Sequence, residues 1–243
     1  LRRDRQGAWV RLEGDQDRRI TGIAGLDEPS QRLVCTGPAA VVFQAVNRLG
    51  YDDGLADAVI GTFANCGGGI TPWGTVLSAE ENFQSQVPEA VYADGSSASP
   101  SQRPFVCREG KLGGLGNVYG LAGNKYGWMV ELDPDRPDQV VKKHTALGRF
   151  RHEAVAVRAQ ADQPLRVYSG CDRRGGHLYR FVSAGTVRDV HDKANSRLFE
   201  AGELQVARFH ADGSGEWLSL NPSAAVDPFR PSHFSDANLN CPV

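Results

Sequence analysis

NCGGGITPWGTVLSAEENF, residues 65–83, is the stretch from which the rest of the chain can be read. It sets Cys66 against three consecutive glycines, which reach positive φ and allow close approaches that side chains would block. Residues 65–69 are therefore expected to form a tight loop that holds the Cys66 thiol near backbone groups. Thr71, Pro72, Trp73 and Gly74 form a corner with one fixed backbone angle and a bulky ring, so it should be rigid. Residues 75–79 read as a strand that ends at two adjacent carboxylates, Glu80 and Glu81. Singly these are ordinary features: a buried apolar thiol, a turn, a solvated pair of charges. Together they form a donor set. Carboxylates alone suit calcium or magnesium, and a thiolate beside them suits a transition metal. Alternation along a strand lets one of two adjacent glutamates face a common centre, which favours Glu81 over Glu80.

Short strands dominate the flanking sequence. Residues 9–13 alternate weakly, and residues 41–49 are an apolar patch compatible with a short helix or a buried strand. Asp52, Asp53 and Gly54 read as an exposed turn. Residues 88–104 and 111–123 read as loops. Further strands are expected at 127–132, 140–145, 153–157, 165–168, 177–182, 202–209 and 216–220, with ADGSG at 211–215 as a hairpin turn. This spacing indicates an all-β sandwich, barrel or propeller. No internal repeat marks individual blades.

The chain has 243 residues, 27 Lys and Arg against 29 Asp and Glu, and 40% apolar residues. That is enough for a substantial core. A formal charge of −2 offers no basic footprint for nucleic acid or anionic membrane. No apolar run reaches the roughly 20 residues that span a bilayer. The first residues lack the apolar core of a secretory signal. The five cysteines, Cys35, Cys66, Cys107, Cys171 and Cys241, contain no CxxC pair, and their odd number leaves at least one thiol unpaired within the monomer.

Two more clusters carry chemistry. In LGRFRHE, residues 147–153, strand alternation puts Arg151 and Glu153 on one face and His152 on the other. A guanidinium fork matches phosphate oxygens while the carboxylate binds a metal; an ordinary surface ion pair gives the same pattern. In YSGCD, residues 168–172, Asp172 reads equally as an oxygen ligand or a turn aspartate.

Residues 65–82, as NCxGGxTPWGTxLxxEEN, resemble the signature of the PhoX-type alkaline phosphatases. GWxVExDP at 127–134, LGRFxHE at 147–153, a Tyr-x-Gly-acidic-Asp segment at 168–172 and GxLxVAxF at 202–209 follow in the order that family shows. This chain carries Cys171 at the first acidic position of the fourth segment. The resemblance implies an all-β β-propeller, of about five or six blades at 40–50 residues each. It further implies one domain over 1–243, as a fragment or short form of a longer family member. By the same resemblance, calcium and iron are held by Cys66, Glu80 or Glu81, Glu153 and Asp172, with Arg151 stabilising the transferred phosphoryl group. The implied activity is hydrolysis of phosphate monoesters, in the periplasm or outside the cell. Two other readings stand beside it, a non-catalytic propeller scaffold and a calcium-dependent esterase or lactonase.

Overall fold

The computed structural model describes residues 2–10, 14, 17–44, 52–89, 113–173 and 176–220. Its strands are β1 (Arg2–Arg3), β2 (Trp9–Val10), β3 (Leu33–Thr36), β4 (Ala58–Val59), β5 (Asn65–Ile70), β6 (Val76–Glu80) and β7 (Met129–Leu132). They continue as β8 (Lys142–His144), β9 (His152–Arg158), β10 (Pro164–Cys171), β11 (Leu178–Thr186), β12 (Gly202–Phe209) and β13 (Gly215–Ser219). One sheet runs β4-β3-β8-β7-β6-β5 and another β13-β12-β11-β10-β9, beside a ribbon of β1 and β2. All pairings are antiparallel except β3 with β8. The only α-helix among the described residues is one turn at Leu115–Val118, inside a stretch expected as loop.

Period-two patterning decides which faces are buried. In β10, Leu165, Val167 and Ser169 point inward while Arg166 and Tyr168 are half-buried. With Phe181 and Leu204, Leu165 and Val167 meet Leu77 and Met129 of the other sheet and form the core between the two. A second core, with Leu33, Phe43, Val59, Phe63, Phe83, Tyr126 and Trp128, covers the opposite face of the six-stranded sheet. The hairpin turn at 211–215 closes with Gly213 at φ 85° and the Ser214 amide on Asp212 Oδ1. The Pro-Trp-Gly corner is fixed by the Thr71 amide on the Thr75 carbonyl, Gly74 at φ 86°, and Trp73 packed on Phe199 at 5.5 Å.

Two sequence expectations change. The apolar patch at 41–49 enters the 3-10 helix Pro38–Gln44, and its remainder lies outside the described residues, as do most of 88–104 and both Cys107 and Cys241. Asp53 is more than a turn residue, because its carboxylate meets the buried Lys125 ammonium at 2.6 Å. The thirteen strands among the described residues collect into sheets of six, five and two.

The core between the sheets also holds a buried contact, His144 Nε2 to Glu131 Oε2 at 2.8 Å. Thr75 and Ser196 donate to Glu131 Oε1 at 2.6 and 2.7 Å. Burial alone pushes the Glu131 carboxyl up, but His144 and the two hydroxyls outweigh it and bring it from 4.5 to about 2. A carboxyl whose folded pKa is depressed stabilises above its unfolded value and loses that contribution as pH falls toward the folded one. Urea unfolding at about pH 5 and about pH 3 should show a larger loss for the wild type than for Glu131→Gln. Equal losses would overturn this role for Glu131.

Candidate metal centre

β5 and β9, the edge strands of the two large sheets, lie side by side. The glycine run makes this possible. A Cβ on Gly67 would sit 2.4 Å from the Glu153 carbonyl oxygen, and one on Gly69 would sit 2.6 Å from that of Val155. On the other side, a Cβ on Gly68 would meet the Leu77 carbonyl oxygen at 2.2 Å. The expected tight loop is instead a strand, and none of the three glycines takes a left-handed φ. They serve the close approach of backbones and not a turn.

Two irregularities in strand register aim the site. β5 shifts register against β6 between Asn65 and Gly68, the interval that contains Cys66. β10 shifts against β9 between Ser169 and Cys171, immediately before Asp172. Such bulges bend a strand and redirect side chains. Glu81 follows β6, Glu153 is the second residue of β9, and Asp172 follows β10. Their carboxylates converge, with one oxygen of each lying within 4.8 Å of the others. Glu81 is buried, and Glu153 and Asp172 are exposed.

Three like charges this close repel one another, at about 1 kcal/mol per pair in water and more at lower dielectric. The strain is visible in Glu153, whose pKa is raised first by the charge of Asp172, then by burial and by Glu81. Cys66 is exposed beside them. The largest influence on its thiol is the Gly67 amide, which favours the thiolate. Its hydrogen bond with Glu81 and the charges of Glu81 and Glu153 outweigh that and raise its pKa. A cation among these groups removes both penalties at once. The donor set therefore fits a metal: carboxylate oxygens for a hard ion and a thiolate for a softer one.

The other sequence candidates are placed elsewhere. Glu80 points away from the cluster into the core and is fully buried against Lys143 Nζ at 2.7 Å. Its two oxygens also accept from the amides of Phe63, Gly127 and Trp128. Arg151 does not pair with Glu153. Its Nη2 and Nε reach Glu89 at 2.8 and 3.3 Å, while its carbonyl accepts from the Asp172 amide at 3.0 Å. His152 is buried between Ser169 Oγ and the Gly148 carbonyl, which depresses its pKa to about 4 through desolvation. Arg149 is half-buried and bonds the carbonyls of Tyr126, Glu89 and Gly123. Glu89 and Lys143 escaped the sequence reading. Neither carries a local signal, because a partner 62 or 63 residues away confers its role.

A family model described as Alkaline phosphatase PhoX matches residues 1–240. Among solved structures the chain is similar to Pseudomonas fluorescens PhoX in complex with vanadate, a transition state analogue, at 31% identity and a TM-score of 0.63. The match covers 86% of this chain and 37% of that one, so the chain spans well under half the length of that relative. No curated protein matches the chain. The all-β fold is that of a propeller whose sheets are not closed among the described residues. With its signature segments in order and matched from end to end, the chain belongs to the PhoX alkaline phosphatase family.

Proposed function

We propose that this chain hydrolyses phosphate monoesters at a metal cluster held by Glu81, Glu153, Asp172 and Cys66. The convergence of three carboxylates within 4.8 Å carries the reading. Calcium suits the carboxylates and iron suits a site that includes the Cys66 sulfur. Bound there, the ions supply positive charge to phosphate oxygens and polarise phosphorus. The two register shifts and the glycine contacts hold the donors in place before the substrate arrives. Arg151 offers its fork from beside Asp172. Glu89 takes that fork with two oxygens, the geometry a phosphate also presents, so phosphate oxygens replace the Glu89 carboxylate when substrate binds. A small phosphate ester is the partner. Among the described residues no helix is long and apolar enough to cross a membrane. Membership of the PhoX family is what supports a periplasmic or extracellular enzyme.

Elemental analysis of the purified chain, followed by turnover of p-nitrophenyl phosphate and p-nitrophenyl acetate, tests this reading. Iron with calcium and turnover of the phosphate ester support it. Calcium alone with turnover of the acetate ester assigns the chain to the carboxylic esterases. Absence of metal and of turnover makes it a scaffold.

A further inference from the structure

The fully buried Glu80 is joined by five donors drawn from three other segments. Oε1 lies 2.7 Å from Thr62 Oγ1, 3.1 Å from the Phe63 amide and 2.7 Å from Lys143 Nζ. Oε2 accepts from the amides of Gly127 and Trp128 at 2.9 and 3.1 Å. Lys143 Nζ is fully enclosed, lies over the Tyr126 ring at 4.2 Å and donates to the Lys125 carbonyl at 3.2 Å.

Two of the four chain segments that present candidate ligands, those of Cys66 and Glu81, meet at this carboxylate. On one side, Thr62 and Phe63 lead through Ala64 and Asn65 to Cys66. Ala64 holds φ at 51°, a strained value for a residue with a Cβ, and such strain persists only where the surroundings over-determine it. Its carbonyl accepts from the Glu81 amide at 3.2 Å, and Thr62 Oγ1 is 3.0 Å from Asn65 Oδ1. On the other side, Glu81 is the next residue in the chain. With Glu80 committed to one face, Glu81 is committed to the opposite face, where Glu153 and Asp172 lie.

We infer that Glu80 is a positioning residue, whose five-donor carboxylate holds Cys66 and Glu81 in register and thereby sets the metal affinity of the neighbouring cluster. The inference rests on the metal-site reading above. Glutamine at this position cannot satisfy both sets of donors, since its amide NH2 would face either the Gly127 and Trp128 amides or Lys143 with Phe63. Removing an outer partner of a metal ligand typically costs 10–100-fold in metal affinity.

Calcium alone is titrated calorimetrically into the chelator-stripped full-length chain as wild type, Glu80→Gln, Thr62→Val and Asp53→Asn. The last removes a different ion pair, between half-buried Asp53 and buried Lys125; Asp53 makes no bond to Glu80, and the substitution keeps the Lys125 carbonyl that accepts from Lys143. The expected result is a calcium Kd raised about 10–100-fold by Glu80→Gln, raised a few-fold by Thr62→Val, and unchanged by Asp53→Asn. Thr62→Val decides the question if Glu80→Gln does not fold. Wild-type affinity in Glu80→Gln, or in Thr62→Val where it alone folds, overturns the inference, as does equal weakening by Asp53→Asn. If the wild type binds no calcium, the metal-site reading fails and this inference falls with it.

Discussion

Glu153→Gln is expected to abolish phosphate-ester hydrolysis and to leave the fold standing. Glu153 is solvent-exposed at the start of β9, so its replacement removes no core packing. In the metal-free protein it removes repulsion, since Asp172 and Glu81 both push the Glu153 carboxyl toward its protonated form. In the metal-bound protein it removes one anionic donor of the three that converge. Electrostatic stabilisation by such ions is worth several kcal/mol in the transition state, so kcat should fall by at least about 10³-fold. Thermal unfolding separates this from a folding defect. The chelated variant should melt at or above the chelated wild type, while the rise in Tm on adding metal, which follows from preferential binding to the folded state, should shrink. Undiminished turnover with an undiminished metal shift would remove Glu153 from the cluster.

Gly67→Ala should be nearly as damaging although it adds one methyl group. That Cβ meets the Glu153 carbonyl oxygen at 2.4 Å, a backbone atom that yields only if β5 and β9 separate. Overpacking of this kind costs about 1–3 kcal/mol. The separation would also move Cys66, the preceding residue, away from Glu81 and Glu153, so metal content and turnover should fall together. Gly170→Ala is the matched control. It lies two residues from Asp172, with nothing within 4 Å of the added Cβ and no left-handed φ. It should keep both metal and activity. A Gly67→Ala protein with full metal content would show that the strand contact is dispensable to the site.

Much of the strand layout was legible from residues alone. Strands expected at 127–132, 165–168 and 202–209 are found at Met129–Leu132, Pro164–Cys171 and Gly202–Phe209; the second shows clear period-two burial, whereas the first is buried on both faces. The Pro-Trp-Gly corner and the Asp-Gly turn followed from local φ requirements. The glycine run did not yield to the same reasoning. Glycine is equally at home in a turn and where two backbones touch, and no property of residues 66–69 reports that β9 passes beside them. The preference for Glu81 over Glu80 used alternation alone, and the structure supplies what alternation lacks, namely the destination of each side chain.

What the sequence determined by itself was the set of short-range decisions: most strand positions, the corners and the order of signature segments. Tertiary structure decided the partners. It sent Glu80 to Lys143 in the core, gave Arg151 to Glu89, turned His152 inward to Ser169, and gathered Glu81, Glu153 and Asp172 from three different strand ends. The physical reason is range. Propensity and periodicity act over a few residues, whereas a charge is settled by whatever lies within several ångströms of it, and here those neighbours come from distant parts of the chain.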